Sequence, residues 1–184
     1  MARKTCYLKM SNQFNNNKNY TIGVEEEYML CDPFTGELVH KAEEIMSEIP
    51  EELTERFSYE LILSEIESNT TICTNVNDAI IEILKYRNLL KEIGKGLNFK
   101  IGINGTHPTA LPKDQKFVKN DSYSWVRSQL QYYASRNITF STHVHIGVDS
   151  PENAISITNT ARRWIAPLLA LSVNSPFFEG FLTG

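Results

Sequence analysis

The chain has 184 residues, 41% hydrophobic and 22% charged, which suits one sizeable core and excludes a wholly disordered or collagen-like chain. Its formal net charge is −4 and Lys and Arg form no block, so neither a nucleic acid nor a membrane is expected as partner. No apolar run approaches about 18 residues, Met1 to Asn19 lacks the apolar stretch of a signal peptide, and Cys6, Cys31 and Cys73 form no CxxC. A cytoplasmic location is expected, with Cys31 and Cys73 as buried thiols.

Residues 1–19 are polar, with five asparagines between Asn12 and Asn19, and read as a flexible N-terminal segment. One domain is expected over 20–184. Tyr20 to Cys31 alternates as a strand through Ile22, Val24, Tyr28 and Leu30, then meets the turn signal Asp32-Pro33-Phe34-Thr35-Gly36. Lys41 to Ile49 reads as a short helix stopped by Pro50, and Phe57 to Thr71 as one or two strands. Asn77 to Ile93 carries Ile80, Ile83, Leu84, Leu90 and Ile93 at helical spacing, with Asn75 or Asn77 as cap and Gly94 and Gly96 as its end. Phe99 to Asn104 is a short strand, Asp121 to Ala134 a helix and Asn137 to Val148 a further strand. Ser150-Pro151-Glu152 starts a helix that runs to about Val173 with a kink at Pro167. Strands and helices do not alternate strictly. An α+β fold is predicted, an antiparallel sheet with helices on one side.

Four groups of residues can carry chemistry. Glu25 and Glu27 share one face of the first strand, while Glu26 sits opposite with Val24 and Tyr28. Side-by-side carboxylates repel unless a cation lies between them, and hard Mg²⁺ or Mn²⁺ suits such oxygens. For these glutamates alone a solvated strand face is the better reading. Glu65 and Glu67 form a second same-face pair, with Glu60 one hairpin or strand-length away, and here too a polar outer face is the better bet. His143 and His145 point the same way from a β-branched strand. A metal or phosphate-handling pair and a hydrogen-bonded core pair are there equally matched. Gly105-Thr106-His107-Pro108 ends a strand where glycine permits close approach to a ligand; alone it is a turn with a surface histidine. Together the four could line one face of one sheet, and many carboxylates with few histidines suit Mg²⁺ or Mn²⁺ and phosphoryl chemistry. No Walker GxxxxGK[ST], GxGxxG or GxSxG motif is present.

Five motifs occur here in one order: Gly23-x-Glu25-x-Glu27, Glu60 with Glu67-x-x-Thr70-x-x-Cys73, Gly105-Thr106-His107-Pro108, His143-Val144-His145-x-Gly147 and Asn174-Ser175-Pro176-Phe177. Over about residues 20–184 the chain resembles the type 2 glutamate–cysteine ligase, or carboxylate–amine ligase, family. The resemblance implies a catalytic domain like that of glutamine synthetase, a curved antiparallel sheet with ATP and Mg²⁺ (or Mn²⁺) on its inner face. It implies that ATP phosphorylates the γ-carboxylate of glutamate and that an amine, typically that of cysteine, displaces phosphate, a step of glutathione biosynthesis. Carried over by position, Glu25, Glu27, Glu67 and His143 would be metal ligands and Glu60 their acidic partner. His145 and Thr106 would face the nucleotide phosphates, and Thr106 and His107 would lie near the substrate, with Glu67, Thr106 and His107 as the catalytic residues. Glu65 has no counterpart and reads as a neighbouring charge. Members of the family are about twice this length, and their later half supplies arginines and a further metal-binding glutamate. Arg163 is the last arginine here, and Leu182 replaces an expected Asp. The chain therefore reads as an N-terminal half, with a second polypeptide or self-association expected to complete the sheet. A non-catalytic remnant or split-enzyme piece that keeps weak metal binding is the alternative. A hydrolase or cupin built on the histidine pair would need later histidines, and none follows His145.

Overall fold

The computed structural model describes residues 20–119, 125, 128–133 and 136–183. The expected N-terminal segment and Cys6 lie outside these residues. So does much of the helix expected over Asp121 to Ala134, of which Trp125 and residues 128–130 are helical.

Strand β1 (Ile22–Cys31) is the spine of the sheet. β2 (Phe57–Tyr59), β3 (Glu65–Asn69), β4 (Lys100–Gly102) and β5 (Thr142–Ile146) complete it. The order is β2-β3-β1-β4, and β5 also pairs with β1, with every pairing antiparallel. β3 runs along one edge of β1. The other edge is divided, with β5 against residues 22–26 and β4 against residues 29–31. The strand expected over Asn137 to Val148 is regular only from Thr142, and Phe57 to Thr71 forms two strands separated by Glu60 to Ser64. Those interruptions serve a second core. Met29, Leu61, Ile62, Ala110, Ile138 and Phe140 bury one another there, where irregular backbone lets side chains leave the sheet plane.

The main core lies on the other face. Tyr28, Leu30, Phe57 and Ile66 from the strands pack against Ala42 and Ile45 of helix α1 (Ala42–Glu48) and Ile83, Tyr86 and Leu90 of helix α2 (Val76–Leu97). Both helices thus lie on one side of the sheet. α1 ends where Ile49, held extended by Pro50, leaves the helix. Asn75 caps α2 through its side chain, which accepts from the Asp78 N–H at 3.1 Å. α2 does not stop at Gly94. It continues to Leu97 and is closed by Asn98 in the left-handed conformation, φ 56°. Gly94 serves close approach instead, because a Cβ there would lie 2.6 Å from the Phe99 carbonyl oxygen as the chain folds back.

Ser150 caps helix α3 (Pro151–Ala161) by accepting from the Asn153 N–H. The long helix expected to Val173 is broken into α3, a 3-10 turn at Arg162–Trp164, and α4 (Ile165–Ser172). The break precedes Pro167 because a proline ring strikes the carbonyl four residues back, here that of Arg163. Neither α3 nor α4 buries a residue. A hairpin of β6 (Phe177–Phe178) and β7 (Phe181–Leu182) follows. It returns to the body through the Thr106 hydroxyl, which donates to the Phe177 carbonyl, and the Gly180 N–H, which donates to the Pro108 carbonyl. Cys73 is buried, whereas Cys31 is only half-buried. Burial still pushes the Cys31 thiol up to about 11. No helix among the described residues is long and apolar enough to cross a membrane.

Candidate functional site

The strand period decides which glutamates meet. Across antiparallel strands, directly opposed residues point to the same face. Glu27 stands opposite Glu67, and Glu25 stands opposite both Asn69 and His143. His145 lies opposite Gly23, and Glu65 opposite Met29. Three neighbouring strands therefore carry Glu25, Glu27, Glu65, Glu67, His143 and His145 to the face away from α1 and α2. Glu26 points the other way. It is buried and takes a two-pronged ion pair from Arg87 of α2, with Nε donating to Oε2 at 2.8 Å.

Within that face two sets of ligand atoms converge. Glu25, Glu67 and His143 place one atom each within 4.8 Å of one another, and Glu27, Glu60 and Glu67 do the same. Glu67 belongs to both. Its Oε1 also accepts from the Ser58 hydroxyl at 3.0 Å and the Asn69 amide at 2.8 Å, which fixes its rotamer. Glu25 Oε2 lies 3.1 Å from His143 Nδ1 and 3.0 Å from His145 Nε2. The hydrogen bond to His145 holds the Glu25 carboxyl below the usual range, against a smaller desolvation. Glu27 accepts from the Ser141 N–H, yet its burial raises it.

The remaining acids bear the cost of crowding. Burial, then the charge of Glu67 and Glu27, pushes Glu60 up to about 7. Glu65 is 3% exposed, and burial with the charges of Glu27 and Glu60 pushes it up to about 10. Its Oε1 is the one buried side-chain polar atom without a hydrogen-bond partner among the described residues. The acidic oxygens of Glu25, Glu27, Glu60 and Glu67, pressed this closely, fit hard divalent cations, which would supply the missing positive charge.

The expected site residues do not all meet. Glu25, Glu27, Glu60, Glu67 and His143 fall into the two clusters. His145 is turned to Glu25. Thr106 and His107 belong to neither cluster. His107 is 6% exposed: its Nε2 lies 2.8 Å from the Gly36 carbonyl, and its Nδ1 accepts from the Thr109 and Ala110 N–H groups. Both ring nitrogens are thus engaged in tying the turn after β1 to the 106–110 loop. The Thr106 hydroxyl is likewise committed to Phe177.

Beside the acidic face opens a cavity of about 410 Å³, lined by Glu27, Asn104, Gly105, Ser141, Asn174 and Ser175 among others. Asn174 Nδ2 donates to Asn104 Oδ1, and Asn174 Oδ1 accepts from the Gly105 N–H and the Ser175 hydroxyl. A Cβ at position 105 would lie 2.6 Å from Ser175 Oγ, so a larger residue here would displace the Ser175 hydroxyl. Among the described residues, none that lines the cavity is Lys or Arg. The strand pattern alone missed Ser58, Asn69 and the Ser141 N–H as supports of the carboxylates. Asn69 was within reach, since it stands two residues from Glu67 on the same face.

An α+β protein that gathers carboxylates and imidazoles on the helix-free face of an antiparallel sheet is a candidate divalent-cation protein. The family model for glutamate-cysteine ligase family 2 (GCS2) matches residues 21–184, and the chain belongs to that family. A curated protein of Rubrobacter xylanophilus, provisionally named glutamate–cysteine ligase 2-1, is 40% identical over 168 residues, covering 91% of this chain and 45% of the relative. A Thermobifida fusca protein, provisionally named glutamate–cysteine ligase 2, is 35% identical over 179 residues, covering 95% of this chain and 45% of the relative. The Haloferax volcanii protein named glutamate–cysteine ligase is 35% identical over 170 residues, covering 89% and 46%. The chain thus spans less than half the length of these relatives.

Proposed function

We propose that the chain carries the metal-holding half of an ATP-dependent carboxylate–amine ligase of the glutamate–cysteine type, built like the catalytic domain of glutamine synthetase. The observation that supports this best is the sharing of Glu67 between two ligand sets on one sheet face. A pair of Mg²⁺ or Mn²⁺ ions there would neutralise phosphate charge. Glu25, Glu67 and His143 would hold one ion and Glu27, Glu60 and Glu67 the other, with Glu67 oriented by Ser58 and Asn69. His145 would stand beside the first set, toward the nucleotide phosphates. Domain 20–184 would act as one unit, and Thr106 and His107 would shape the rim of the neighbouring cavity through the backbone they hold.

The chemistry balances in two displacements. The γ-carboxylate oxygen of glutamate bonds to the terminal phosphorus of ATP, and the bond to ADP breaks. The amine nitrogen of cysteine, or of another amine, then bonds to the acyl carbon, the carbon–oxygen bond to phosphate breaks, and the nitrogen loses a proton. A carboxylate is a poor electrophile, and phosphate is the leaving group that makes this exchange possible.

Calorimetric titration with Mn²⁺ tests the cation site. Wild type should bind, and Glu27→Gln, which removes one anionic ligand oxygen, should weaken binding by about tenfold, about 1.4 kcal/mol. Identical isotherms would contradict the reading. Tight, selective zinc binding would favour a hydrolase instead.

A further inference from the structure

On the helix side of the sheet, opposite the carboxylate clusters, one stripe of α2 borders a groove of about 610 Å³. Leu84, Arg87, Asn88, Lys91, Lys95 and Asn98 recur at i, i+3, i+4, i+7, i+11 and i+14, so they follow one face down about 21 Å of the helix. Gly94 lies on the same face and adds no side chain, and residues 99–101, folding back beside α2, form the opposite wall. A volume of that size suits a small organic ligand. Spread over the stripe, it leaves a cross-section of about 30 Å², slender beside a helix of about 10 Å diameter.

The groove is basic at one end and apolar at the other. Arg87, Lys91, Lys95 and Lys100 line it, and among the described residues no Asp or Glu does. Arg87 is paired with Glu26 and Lys95 with Glu92, but Lys91 and Lys100 form no ion pair among the described residues, and Lys100 Nζ donates only to the Pro33 carbonyl at 3.1 Å. The carbonyls at the end of α2, which would repel an anion, are engaged: that of Gly94 accepts from the Phe99 N–H at 3.0 Å and that of Leu97 from the Lys41 ammonium. Toward the start of α2, Leu84 and Arg87 also line a second groove of about 370 Å³, walled by Ile80, Ile83, Val144 and Ile146 among others. We infer that these joined grooves bind a free single-chain acyl carboxylate, with its head at Lys91 and Lys100 and its tail passing Leu84 toward Ile80 and Ile83. Charge and width select this occupant. A protein surface packed here would dehydrate Lys91 and Lys100, whereas an acyl carboxylate brings their counter-charge with it. An acidic helix is too wide to enter. The inference stands apart from the ligase reading, since the grooves and the carboxylate clusters occupy opposite faces of the sheet.

The test is to titrate the 184-residue chain with dodecanoate, kept below its micellar concentration, by calorimetry and by amide chemical shifts. Saturable 1:1 binding is expected, with shifts confined to α2 from Ile80 to Asn98, residues 99–101 and the walls of the second groove. Dodecyltrimethylammonium, with the same tail and the opposite charge, should bind at least tenfold more weakly, and acetate, a head without a tail, should not bind. The double variant Lys91→Glu/Lys100→Glu should weaken dodecanoate binding at least tenfold, and so should Asn88→Trp, which fills the groove from an exposed helix position. Lys85→Glu makes the same charge change on α2 outside the groove and should leave binding unchanged. Glu27→Gln should bind dodecanoate as wild type does while losing Mn²⁺ affinity, so the cation reading and this one fail separately. Absence of dodecanoate binding, equal binding of the cationic amphiphile, or indifference to both groove variants would overturn the inference. So would association with phosphatidylglycerol vesicles in place of the free acyl carboxylate, which would make the stripe a membrane-surface contact.

Discussion

Glu65 and Glu26 are both buried glutamates, and the fold treats them oppositely. Glu26 is answered by Arg87 across the sheet–helix interface, with both carboxylate oxygens engaged. Arg87→Ala would strand that carboxylate in the core, at a cost of about 2–4 kcal/mol, measured by urea denaturation. Glu65 has no such answer, so burial keeps it protonated up to about pH 10. Glu60 likewise holds its proton up to about pH 7. Both values lie above the ordinary 4.5, so above that pH the folded chain binds protons that the unfolded chain has released. Stability therefore falls as pH rises from about 4.5, through about 7 for Glu60 and onward to about 10 for Glu65. The metal-free chain should melt at a lower temperature at pH 8 than at pH 5, and Glu65→Gln should raise the pH 8 value and flatten the slope. A melting temperature that climbs between those pH values would contradict this assignment.

The elements were legible where one periodicity ruled. The alternation of β1 placed Glu25 and Glu27 on one side and Glu26 on the other, and that is how the strand lies. Ser150 and Asn75 act as the caps their positions suggested; Asn75→Ala should cost about 1 kcal/mol, read from the chain's unfolding midpoint. Local signals misled where tertiary packing outweighed them. Gly94 looks like a helix stop, but α2 needs it so that Phe99 can fold back against the helix. His107 reads as a rim histidine because its partners Gly36, Thr109 and Ala110 are set by a loop approach that no strand pattern encodes. The near-neighbour status expected of Glu65 missed its burial, which depends on Met29 and the second core closing over that end of β3.

At the scale of the whole molecule, the acidic face lies in a chain that spans less than half the length of the relatives it matches. Among the described residues, the polar cavity beside Glu27 has no Lys or Arg in its lining to meet a phosphate or a substrate carboxylate. The chain alone is therefore expected to form γ-glutamylcysteine at no appreciable rate, as measured by phosphate release dependent on ATP, glutamate and cysteine. Robust turnover by the 184-residue chain would place the essential cations among residues already present. Anomalous diffraction from crystals of the chain soaked in millimolar Mn²⁺ would locate the cations. Anomalous peaks are expected on the helix-free face of the sheet, one among Glu25, Glu67 and His143 and one among Glu27, Glu60 and Glu67, with Glu67 touching both. Ordered crystals with no peak at Glu67, or with Mn²⁺ only at unrelated surface carboxylates, would contradict the two-cation site.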